Sequence, residues 1–269
     1  MGRHTQARVP AQAGEQRPEV GREQGRGLLA LDFDGVVCDA FEECALITWL
    51  GEHEHDRALP GPGQLDRVPE EFTTRFRTVR DYARVLDHFV VAHLPEADEI
   101  GAQAEFDRLY ASLPDARVQR FVAGASDARD WFRESETEFW LGLHTLYPGV
   151  PELLRRAGVP VVIVTAKDEP SVRAILGRHG LESAIAGVYG ECAAKPEAVR
   201  EACVRRGVPL EAATFVDDNL TNVRRVSATG ARAWWAQWGY QTPEHRAEAA
   251  QFGITGLELT GLAGLPLTI

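Results

Sequence analysis

The chain has 269 residues and a formal net charge of −11. That length holds an α/β domain with a smaller companion around a buried core, and the acidic balance excludes a broad nucleic-acid-binding surface. Hydrophobic residues make up 44% and charged residues 26%, the balance of a globular chain, with no apolar run near the roughly 18 residues of a membrane span.

The N-terminus is polar and shows no apolar signal core, so the expected setting is the cytoplasm, as a monomer or homodimer. Cys38, Cys44, Cys192 and Cys203 form no Cys-x-x-Cys pair. They read as reduced thiols, not as a disulfide framework or a zinc site. Of 29 lysines and arginines only Lys167 and Lys195 are lysines. A lysine kept against such a bias suggests a compact point charge that the broad arginine fork cannot replace.

In chain order, residues 1–26 are polar and aperiodic and read as a disordered tail. Leu28-Leu29-Ala30-Leu31 is a short apolar run ending in Asp32-Phe33-Asp34-Gly35, which predicts a buried strand with a loop at its carboxyl end. Residues 41–145 are helical in pattern. Phe72, Phe76, Val79, Ala83 and Leu86 make one apolar stripe, and Leu59-Pro60-Gly61-Pro62-Gly63 breaks the segment in two. Tyr147-Pro148-Gly149 marks the return.

From there helices and strands alternate. Strands are expected at Val159 to Val164, Ile185 to Tyr189, Ala213 to Val216 and Ala231 to Ala236. Helices are expected over Val150 to Ala157, Ser171 to His179, Glu197 to Arg206 and Thr221 to Ala228. This alternation predicts an α/β fold, a doubly wound Rossmann-like parallel sheet. The core domain is then 27–40 with 146–269, and 41–145 is an inserted α-helical cap domain.

Ligands of doubly wound sheets bind beyond the carboxyl ends of the strands. Four such regions carry polar groups here: Asp32 and Asp34, Thr165, Lys195 with Pro196, and Asp217-Asp218-Asn219. Crowded carboxylates call for a cation, and oxygen-only ligands favour a hard one such as Mg²⁺. An aspartate beside such a cation can attack phosphorus covalently, and a second carboxyl two residues on can move the proton. A hydroxyl and an ammonium can hold the phosphate oxygens.

In this order and spacing, Leu31-Asp-Phe-Asp-Gly-Val-Val, Val164-Thr165, Lys195-Pro196 and Phe215-Val-Asp-Asp-Asn-Leu-Thr-Asn222 resemble the four motifs of the haloacid dehalogenase superfamily. Tyr147-Pro-Gly-Val-Pro-Glu-Leu-Leu154 resembles its cap exit, and Trp238-Gly239-Tyr240 a segment that follows the last core strand in many members. The resemblance covers roughly residues 28–262, the cap in position and helical character alone. It implies Asp32 as nucleophile and metal ligand, Asp34 as general acid/base that lends a backbone carbonyl to Mg²⁺, Thr165 and Lys195 on the phosphoryl group, and Asp218 completing the metal site. Asp217 would be an orienting acid. Asn222 stands where many members have a second acid, and would orient the site by hydrogen bonding.

The implied activity is Mg²⁺-dependent hydrolysis of a small phosphorylated metabolite through an aspartyl-phosphate. The alternatives are a phosphomutase on the same core and a non-catalytic binding module, the latter opposed by the intact acidic set. Asp34 argues against a true dehalogenase. The absence of lysine from 41–145 argues against a Schiff-base phosphonate hydrolase.

Other features read more plainly. Lys167 is expected on the solvated surface. His53-x-His55 lacks further ligands for a metal, and Trp234, Trp235 and Trp238 are expected to pack. Arg77, Arg80 and Arg84 share a helical face in the cap. Either that face is solvated, or at least one of the three reaches over the site to a substrate anion.

Overall fold

The structure, a computed structural model, describes residues 27–53 and 62–267. The expected tail at 1–26, His55 and most of the Leu59 to Gly63 break lie outside the described residues. The strands are β1 Leu28–Leu31, β2 Cys38–Asp39, β3 Thr145–Leu146, β4 Val161–Val164, β5 Gly187–Tyr189, β6 Ala213–Asp217, β7 Arg232–Ala236 and β8 Thr255–Leu257. The α-helices are α1 Phe41–Glu52, α2 Glu70–Tyr82, α3 Gln103–Ala111, α4 Asp115–Ser135, α5 Thr137–Gly142, α6 Val150–Arg156, α7 Glu169–Arg178, α8 Lys195–Arg206, α9 Leu220–Ser227 and α10 His245–Gln251.

Among the described residues the main sheet has the order β5-β4-β1-β6-β7-β8, and every neighbouring pair is parallel. β1 lies between β4 and β6, and all four of its residues are buried. Covered on both faces, it has no use for polar alternation, which is why the sequence there is a continuous apolar run. Two further residues of register fix the chemistry. Leu31 pairs with Ile163 on one side and Val216 on the other. The next residues, Asp32, Val164 and Asp217, therefore sit level, and the strands end flush along one edge. The edge strand β8 and helix α10 have no counterpart in the sequence reading. β8 is three residues, Thr-Gly-Leu, too short and too poor in apolar residues to register as a strand.

The chain leaves this sheet through β2 and returns through β3. These pair antiparallel, Cys38 with Leu146 and Asp39 with Thr145, and the Tyr147 N–H donates to the Val37 carbonyl at 3.1 Å. Both crossings are thus tied to each other beside the end of β1. Between them, α1 packs along α4, and Phe72, Phe76, Val79, Phe89, Phe106 and Phe121 gather into a cluster separate from the sheet's own cores. The expected stripe runs only to Val79. α2 stops at Tyr82, Ala83 is extended, and Leu86 begins a 3-10 stretch to His93. The turn back lets the Phe89 ring meet Phe76 edge-on, with centroids 5.2 Å apart. Long-range packing therefore overrides the local helical period.

Candidate active site

Asp32 follows β1, and its N–H donates to the Val216 carbonyl of β6 at 2.9 Å. Its Oδ1 accepts the Phe33 N–H at 2.7 Å. Its Oδ2 meets Lys195 Nζ at 2.6 Å. Lys195 opens α8 and is buried, and the same ammonium donates to Asp217 Oδ2 at 2.9 Å. Asp217 also takes the Asn219 N–H on Oδ1 at 2.7 Å and the Asn222 side-chain amide on Oδ2 at 3.2 Å. Both oxygens of Asp217 are engaged, and its side chain is fully buried. Asp217 is therefore a strut for Lys195 and the β6 loop.

Asp218 is held differently. Its Oδ2 accepts the Tyr240 N–H at 2.7 Å, and its main-chain carbonyl accepts the Trp235 indole at 3.0 Å. Two glycines make room for it. Gly35 has φ of +87°, the left-handed region that favours glycine, and a Cβ there would overlap the Asp218 carboxylate. A Cβ on Gly239 would overlap the Gly35 carbonyl and Asp218 together.

Asp32, Asp217 and Asp218 offer ligand oxygens that all lie within 4.8 Å of one another. Burial pushes the Asp32 carboxyl up to about 6, despite the Lys195 ammonium that opposes the rise. Burial, then the charge of Asp32, pushes Asp218 to about 6 as well. Burial works against the charge of Lys195, but Asp217 and Asp32 outweigh it and its pKa rises. Three buried carboxylates around one ammonium leave an excess of negative charge, which suits a divalent cation and oxygen ligation. Of the three, Asp32 and Asp218 line the cavity beyond the strand ends and Asp217 does not, so Asp32 and Asp218 are the side chains available to it.

Thr165 follows β4 and is buried. It does not cap the next helix: Asp168 does, accepting the Ser171 N–H at 2.9 Å. The Thr165 hydroxyl oxygen accepts the Lys167 N–H at 3.1 Å, which leaves its own proton to donate. Lys167 corrects the sequence reading. It is not a surface lysine: its side chain is 6% exposed and Nζ lies 3.4 Å from Asp34 Oδ2. Burial opposes its charge, but the Asp34 and Glu43 carboxylates outweigh that and raise its pKa. The compensating acids explain a buried ammonium, and neither is adjacent to it in sequence.

A cavity of about 640 Å³ opens on Asp32, Asp34, Thr165, Lys195, Asp218 and Asn222. Its far wall comes from the helical segment, through Arg80, Arg84 and Val85. Arg77 does not line it. That side chain is exposed, with its guanidinium 4.0 Å from the centre of the Phe41 ring. Nor do the three arginines share a helical face, because Arg84 lies beyond the end of α2. Arg84 reaches the core from an extended link, with Nη2 3.4 Å from His245 Nε2. The tryptophans pack as expected: Trp235 is buried, and the Trp238 indole donates to the Val36 carbonyl at 3.2 Å. His53 is stacked on Trp49 at 3.5 Å between ring centroids. The four cysteines are free.

Tyr240 was missed by residue-level reasoning. Beyond its N–H bond to Asp218, its hydroxyl donates to Asp39 Oδ1 at 3.3 Å and its ring lies under Arg80. The only signal in the sequence was its place after Trp238-Gly239.

Comparison with known proteins agrees with this geometry. CbbY of Cereibacter sphaeroides is 28% identical over 169 residues, 59% of this chain and 67% of that protein. A predicted phosphoglycolate phosphatase of Haemophilus somnus superposes with a TM-score of 0.60 at 18% identity, covering 91% of this chain and 99% of that one. A haloacid dehalogenase-like protein of Streptococcus pneumoniae gives 0.59 at 14% identity, with 86% and 93% covered. These structural likenesses speak for the fold. No described helix is long and apolar enough to cross a membrane. Residues 27–224 match the model of the haloacid dehalogenase-like hydrolases, and the chain belongs to that family of hydrolases.

Proposed function

We propose that this protein is a magnesium-dependent phosphatase that hydrolyses a small phosphorylated metabolite through an aspartyl-phosphate on Asp32. The observation that carries the reading is the Asp32 carboxylate. It stands at a strand end, facing a cavity, with an ammonium on one oxygen and Asp218 close by. A substrate phosphoryl group would displace the Asp32–Lys195 contact and take Lys195 and the Thr165 hydroxyl as its oxygen partners. An Asp32 oxygen then bonds to phosphorus as the ester P–O bond breaks. Asp34 gives the leaving oxygen a proton, then accepts one from the water that attacks the acyl phosphate. Asp217 keeps Lys195 in place, and Asn222 keeps Asp217 in place. A magnesium ion held by Asp32, Asp218 and the Asp34 main-chain carbonyl would neutralise phosphate charge.

The test is release of inorganic phosphate from an aryl phosphate and from a panel of phosphorylated metabolites, with Mg²⁺ and then with a chelator. Metal-dependent release is expected. Full release after exhaustive chelation contradicts the metal assignment. Phosphoryl movement between positions of one metabolite, without release, would make the protein a phosphomutase.

A further inference from the structure

Arg80 lines the same cavity as Asp32 and Asp218, yet it makes no hydrogen bond or ion pair with any described residue. Its guanidinium lies 3.5 Å from the centre of the Tyr240 ring and 5.3 Å from that of Phe89. Its Nε is buried and without a partner. The neighbouring acid does not serve it: Asp81 Oδ1 instead accepts the Gln241 N–H at 3.3 Å. Two other arginines of this region, Arg75 and Arg84, have hydrogen-bond acceptors. Arg75 is bidentate on Asp98 at 2.9 Å. Arg84 donates to the Asp81 and Ala83 carbonyls at 2.8 and 3.1 Å.

A guanidinium is always charged, and a half-buried one with no carboxylate on its donors carries a desolvation cost, which here the more distant Asp218 and Asp34 offset in part. Ring faces offset part of that cost and hold the plane of the group, while leaving the N–H edges open. An open fork of donors beside a phosphate site matches a carboxylate or a second phosphate. Tyr240 also fixes the distance between the two anion sites. Its main-chain N–H holds Asp218, its hydroxyl meets Asp39 of β2, and its ring carries Arg80.

We infer that Arg80 is a specificity residue for a second oxyanion on the substrate. The substrate class is a phosphate monoester that carries, at a fixed distance, a carboxylate or another phosphate. This rests on the phosphatase reading above for its first anion site. Arg77 and Arg84 have no part in it.

The test compares three substrates of equal chain length: a phosphorylated hydroxy acid, a diol bisphosphate and an alkyl monophosphate. The parent should favour at least one of the first two in kcat/KM by about tenfold to a hundredfold, as for a charge-assisted contact. Which one it favours tells carboxylate from phosphate. Arg80→Met should collapse that ratio, and Arg80→Lys should restore part of it by supplying charge without the fork. Equal losses on all three substrates would make Arg80 a packing residue and overturn the inference, as would a parent with no preference. Binding of the same compounds to the Asp32→Asn protein with Mg²⁺, by calorimetry, separates the two readings. Preference in binding with no turnover by the parent leaves the anion site standing and removes the phosphatase. Turnover with no preference in binding does the reverse.

Discussion

The sheet edge and the helical segment that faces it hold their charged groups in opposite ways. At the edge, Asp32, Asp217 and Asp218 are crowded together, and burial pushes Asp32 and Asp218 upward. In the helical segment, Glu43 is fully buried but bidentate on Arg129, at 2.6 and 3.2 Å. Burial there is outweighed by the guanidinium, which holds the Glu43 carboxyl well below the usual range. One region stores charge repulsion that a ligand can relieve. At Glu43 and Arg129 the other has already neutralised its charge. The lesson is that burial of a carboxylate says little by itself; what its partner is decides whether it serves folding or chemistry.

The largest expected effect separates the two at once. Asp32→Asn should lower turnover by several orders of magnitude, because it removes the attacking charge and keeps the shape. Its metal-free thermal midpoint should equal or exceed that of the parent, since a repelled charge is gone. A large loss of stability with the activity loss would place Asp32 with Glu43, as a structural acid. Chelation should reduce activity to background, and added Mg²⁺ should restore it; the phosphate assay reads both. Glu43→Gln should behave in the opposite way, lowering stability by about 3–5 kcal/mol through the uncompensated Arg129. Urea unfolding measures it, and a change under about 1 kcal/mol would show that the pair adds little.

A smaller effect concerns pH. Asp32 and Asp218 take up protons near pH 6 in the folded protein, but near their ordinary 3.8 when unfolded. Between those values the folded state binds more protons at these two carboxyls, whereas His93, His144 and His245, pushed down to about 4 chiefly by burial, bind fewer. Lowering the pH from about 7 to about 5 should therefore raise the metal-free midpoint relative to that of the Asp32→Asn, Asp218→Asn double variant, in which the histidines act without the two carboxyls. Saturating Mg²⁺ should flatten or reverse the trend, because protons then compete with the ion. A metal-free midpoint that falls relative to the double variant over this window would contradict the burial of these groups.

How much the sequence revealed follows the same division. The positions of Asp32, Thr165 and Asp217 depend on where apolar runs end, and parallel register carries those ends to one edge. Strand ends can be read locally. The helical segment could be recognised as helical, but Arg80 and Arg84 were placed on one helical face. That placement assumed that the helix continued through Ala83, where long-range packing of Phe89 on Phe76 ends it. Lys167 read as solvated because its carboxylate partners, Asp34 and Glu43, are more than a hundred residues away in sequence. Tyr240 acts through its main-chain N–H as well as its ring, and backbone donors leave no mark on residue type.

The most direct test of the central claim is to stop turnover of a phosphorylated substrate in acid and locate the phosphoryl group by peptide mass spectrometry. The label should sit on Asp32, and the Asp32→Asn protein should carry none. A phosphoryl group on any other residue, or a fully active enzyme that never carries one, would contradict the account.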